Sequence, residues 1–78
     1  MQDELASNEL MQPGRQQEVI GLHCAGLEEQ IKSAPTRLQA EGVLADACEG
    51  FDRVCESSIL RTFLKQYAHR LFLRYWSP

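Results

Sequence analysis

Apolar residues recur along this chain at alternating spacings of four and three, in three successive stretches, and nowhere in a sustained alternation of two. A period near 3.6 marks one buried stripe on an α-helix, whereas a period of two marks a half-buried strand. An all-α fold is therefore expected. The first stretch, Gln16 to Ser33, carries Ile20, Cys24, Leu27 and Ile31 in a stripe that runs on to Ala34. The second, Thr36 to about Glu56, carries Leu44, Cys48, Phe51 and Cys55, with Ala47 and Val54 on its flanks. The third, Ile59 to Trp76, carries Leu60, Leu64, Tyr67, Leu71 and Tyr75.

The punctuation between the stretches agrees with the periodicity. Pro35 biases Ala34 away from helical geometry and suits the first turn of a new helix, with Ser33 available as a cap. Ser57 and Ser58 offer the next cap. Corners this short predict a small three-helix bundle or a helical hairpin arrangement. Gly42 and Gly50 interrupt the second stretch and mark a kink, a break or a close approach, alternatives that the sequence leaves open. Ahead of this single helical domain, 15–78, residues 1–14 read as a short N-terminal arm or helix that ends in the turn signal Pro13-Gly14.

The third stretch has more apolar circumference than such a bundle needs. Placed at about 100° per residue, Leu60, Phe63, Leu64, Tyr67, Ala68, Leu71 and Tyr75 gather within an arc of about 140°, the width of a core-facing stripe. Phe72, Leu73 and Trp76 fall outside that arc. A partner-binding patch centred on Phe72, Leu73 and Trp76, with Arg70 and Arg74 at its rim, is the expectation, because aromatic side chains and arginine are enriched at binding hot spots. The bland alternative is a lid formed by Leu5, Leu10 and Met11 of the arm. A chain of 78 residues buries only roughly 60% of its unfolded surface and is marginal alone, so self-association into a homodimer is the simplest use of the surplus.

Charge bears on the kind of partner. The formal net charge is −3, but after Gly50 five basic residues face two acidic ones. Arg61, Lys65, His69, Arg70 and Arg74 share the third helix with its aromatic residues, which makes nucleic acid an alternative partner, weakened by the acidic balance of the whole chain. A helix-turn-helix frame built on Gly42 or Gly50 places Leu38 or Asp46 where a small residue belongs. A further alternative is an accessory subunit stable only within a larger complex.

No catalytic role, metal or cofactor is expected. The sequence has no phosphate-binding glycine loop, no His-Glu-x-x-His and no nucleophile elbow, and a Cys48–His69 pair is one of many that such a chain would offer. Cys24, Cys48 and Cys55 have no zinc-ligand spacing and lie on the apolar stripes, where free thiols act as small hydrophobes. Cys48 and Cys55, about 10 Å apart on one helix, do not bridge, while a Cys24–Cys48 bond is conceivable across an antiparallel pair. An odd cysteine count, an acidic opening without a signal-peptide pattern and no apolar run of about 20 residues lead us to expect a cytoplasmic protein with no membrane span.

Overall fold

The computed structural model describes residues 13–77. Among these the elements are α1 (Pro13–His23), α2 (Leu27–Lys32), α3 (Arg37–Val54) and α4 (Ser58–Trp76), with no strand. The small all-α bundle expected from the periodicity is what the chain forms. Residues 1–12 of the expected arm, including Leu5, Leu10 and Met11, lie outside the described residues. Pro13 and Gly14 open α1 rather than ending an arm.

The single first helix expected from Gln16 to Ser33 is instead two helices. The chain leaves helical geometry at Cys24 and turns through Gly26, whose φ of 80° favours a residue without a side chain. The stripe survives this break because the Leu27 amide donates to the Cys24 carbonyl at 3.1 Å, so Cys24, Leu27 and Ile31 all stay buried. The cap of α3 also differs from expectation. Thr36 holds it, its hydroxyl accepting the Gln39 amide at 3.2 Å, while Ser33 closes α2 by donating from its hydroxyl to the Glu29 carbonyl at 2.6 Å. Ser57 caps α4 as expected, accepting the Leu60 amide at 3.1 Å.

α3 runs unbroken through Gly42 and Gly50. A Cβ built at either position meets nothing within 4 Å, so neither glycine serves a kink or a close approach. Gly42→Ala and Gly50→Ala are each expected to stabilise the protein by up to about 1 kcal/mol, since alanine keeps the geometry and gives up less backbone entropy. The change raises the melting temperature by about 4–8 °C per kcal/mol in a domain of this size. Gly26→Ala, forced into left-handed geometry, lowers it. Melting curves of the three variants check both signs.

α3 and α4 lie antiparallel. Lys65 and Arg61 of α4 meet Asp52 near the end of α3, at 2.8 and 3.7 Å, while the last carbonyl of α4, on Trp76, accepts from Arg37 at the start of α3 at 2.9 Å. α2 crosses this hairpin. The core joins Val19, Cys24, Leu27 and Ile31 to Phe51, Cys55, Leu64, Ala68 and Leu71.

Candidate protein-binding groove

The surplus aromatic side chains of α4 are largely absorbed by the fold. Phe72 is 4% exposed, with the Arg37 guanidinium 5.4 Å from its ring centroid. Trp76 is half-buried, and its indole N–H donates to the Ile31 carbonyl at 2.8 Å. The expected patch is therefore not presented as a unit, for a physical reason. At this end α2, through Glu28 and Ile31, and the first turn of α3, through Arg37, meet the last turns of α4. Of the expected centre Leu73 is exposed, at 41%, and Trp76 only partly so, with Arg70 and Arg74 also exposed.

Arg37 organises this end. Besides covering Phe72 and capping α4, it pairs with Glu41 at 3.3 Å. Glu28 fastens α2 to α4 from the other side, accepting from the Tyr75 hydroxyl and lying 3.6 Å from Arg74. Along α3, Glu49 and Arg53, spaced four apart, pair at 3.3 Å.

Among the described residues, an open apolar surface lies between the two long helices. Leu44 and Cys48 of α3, with Lys65, Gln66, His69 and Arg70 of α4, line an open groove of about 470 Å³. Leu44 and Cys48 are half-buried, and the alkyl stems of Lys65 and Arg70 extend the apolar floor while their charges stay at the rim. Positions 66, 69 and 73 follow the spacing of one helical face, which sets exposed Leu73 about one turn beyond His69, outside the groove lining. Leu22 of α1 and Leu38 in the first turn of α3, each 77% exposed, do not line this groove. Isolated apolar residues of that kind are ordinary on a protein surface.

The rim carries surplus positive charge. α4 contains Arg61, Lys65, Arg70 and Arg74 and no acidic residue, every acid of the chain lying before Ser57. Asp52 answers both Arg61 and Lys65 with a single carboxylate. Arg70 has no carboxylate within 4.0 Å among the described residues.

The thiols divide between core and groove. Cys24 and Cys55 are buried, Cys48 is half-buried, and all three are free. Burial pushes the Cys24 thiol up to about 11, with further opposition from the charge of Cys55. Cys48 is also raised by burial, although Lys65 pulls the other way. Cys48 and His69 do line the same groove, but a nucleophilic cysteine needs a lowered pKa, and this one moves upward. Among the described residues no three His, Cys, Asp or Glu side chains are grouped to hold a metal ion, and no helix is long and apolar enough to cross a membrane. A second hollow of about 310 Å³, between Cys24, Glu28, Glu29, Lys32 and Tyr67, mixes both charges.

Comparison with known proteins returns no matching family, no matching curated sequence and no matching solved structure.

Proposed function

We propose that this chain is a non-catalytic protein–protein interaction module, of the small regulatory, adaptor or inhibitor type, that contacts its partner through the α3–α4 groove and the adjoining surface of α4. The observation that carries this is an apolar floor, Leu44 and Cys48, beneath a rim of incompletely answered cations, with exposed Leu73 about one helical turn beyond His69. An apolar centre bounded by charged groups is the anatomy of a protein interface. Three free thiols, two of them packed in the core, support a reducing compartment such as the cytoplasm.

A nucleic-acid role is supported less well. Stacking on bases needs accessible rings, and Phe72 lies under Arg37 and Trp76 is half-buried, which leaves Tyr75, its hydroxyl held by Glu28, as the exposed ring at this end. Arg61, Lys65 and Arg74 each have a carboxylate neighbour, which reduces their attraction for phosphate.

A photo-crosslinking side chain at position 73, compared with one at position 22, tests the proposal in the protein's native cell extract. Discrete protein adducts from position 73, absent from position 22, are expected. Nucleic-acid adducts, or no difference between the two positions, would overturn it.

A further inference from the structure

We infer that the occupant of the α3–α4 groove is an amphipathic helix of a partner protein, carrying carboxylates beside its apolar stripe on the flank that meets Lys65 and Arg70. This inference rests on the interaction role proposed above and names the chemistry of the partner at the same site. The crevice between two antiparallel helices is a natural seat for a third, whose side chains at spacings of three and four fit between the existing ridges. From Lys65 to Leu73 the open surface of α4 rises about 12 Å, a little over two helical turns, enough for apolar anchors at i, i+3 or i+4, and i+7.

Charge selects the partner. Lys65 shares Asp52 with Arg61, and Arg70 has no carboxylate of its own among the described residues. A docking helix with carboxylates along that edge supplies the missing counter-charges, whereas a neutral or basic helix leaves them unanswered as the groove loses water. The same charges disfavour a second copy of this chain. A two-fold contact of α4 with α4 gathers Lys65 and Arg70 of both copies along one seam, where α4 contains no acid to interleave.

Selection of a displayed library of helical peptides about four turns long, on the full chain, tests the inference. Recovered peptides are expected to carry Asp or Glu beside an apolar stripe and to perturb the amide resonances of Leu44, Cys48 and Leu73. Affinity is expected to fall about tenfold in Arg70→Glu and to recover in Arg70→Lys. Arg70 is exposed, so an unchanged melting curve for Arg70→Glu separates lost binding from lost fold.

Selection of neutral or basic peptides, indifference to Arg70→Glu, or an empty selection would each overturn the inference. So would a dimer of the chain alone that dissociates in Arg70→Glu. Binding that emerges only once residues 1–12 are deleted would overturn it too, and would make the chain's own Asp3, Glu4 and Glu9 segment the occupant. Peptides of other chemistry mapped to the groove leave the interaction role standing. Crosslinking at position 73 no different from that at position 22 removes both.

Discussion

Phe72→Ala is expected to unfold much of the protein at room temperature. Truncating a buried phenylalanine costs about 3–5 kcal/mol, through lost transfer energy and the cavity left behind. A single core in a chain this small seldom supplies more than about 3–5 kcal/mol in total. The ring is 4% exposed, and its removal also leaves the Arg37 guanidinium without the π-face 5.4 Å away. Phe72→Leu, nearer in volume, is expected to cost under about 1.5 kcal/mol, and Leu73→Ala, one position along, to stay within about 0.5 kcal/mol of the parent. Urea titrations followed by helical circular dichroism give all three. A stable Phe72→Ala protein would mean that the ring serves a partner and not the fold. For the same reason, polar substitutions at Phe72 and Trp76 report on folding before they report on association.

Alkaline pH is expected to weaken the fold well before it damages the chain chemically. Cys24 has its pKa raised from an ordinary 9.0 to about 11 by burial, with the charge of Cys55 as a secondary cause. A thiol that ionises later when folded than when unfolded favours the folded state at neutral pH and loses that advantage at high pH. Its contribution is present in full below pH 9 and falls away as pH rises through about 11. About two pKa units correspond to about 2–3 kcal/mol, a large part of what such a core supplies. Burial also raises Cys48, Cys55 and Tyr67, so these groups push in the same direction. Urea midpoints under reducing conditions at about pH 7 and about pH 10 should differ markedly, and Cys24→Ala should flatten the dependence at the cost of some packing. A pH-independent midpoint across this range would show that Cys24 is hydrated in solution.

The two long helices and the cap of α4 were legible in the sequence because each depends on neighbours within a few residues. Ser57 finds the Leu60 amide, and Leu64, Ala68 and Leu71 face inward, without reference to the rest of the chain. The break at Gly26 was hidden because the tight turn keeps Cys24, Leu27 and Ile31 on one side, preserving a helical spacing without a helix. The fate of Phe72 and Trp76 was hidden for a different reason. Arg37 and Ile31 stand 39 and 45 residues from Trp76, and a lone arginine in a first helical turn carries no local mark of its role. The available signal was topological, since an antiparallel hairpin sets the first turn of α3 beside the last turn of α4. Leu44 and Cys48 shared a stripe with buried Phe51 and Cys55, so periodicity assigned them to the core. They are half-buried because α3 and α4 alone flank them there.

The break at Gly26 also divides the molecule into parts of unequal strength. α2, α3 and α4 are laced together by Trp76, Glu28, Arg37 and Asp52, while α1 rests on the others through Val19 and Ile20 and is joined to them by a single left-handed residue. Among the described residues α1 packs more sparsely on the other helices than they pack on one another, which favours its opening as a separate event while the hairpin keeps its shape. Such opening uncovers Val19 and thins the cover over Cys24, making the thiol's protection depend on how often the first helix is seated.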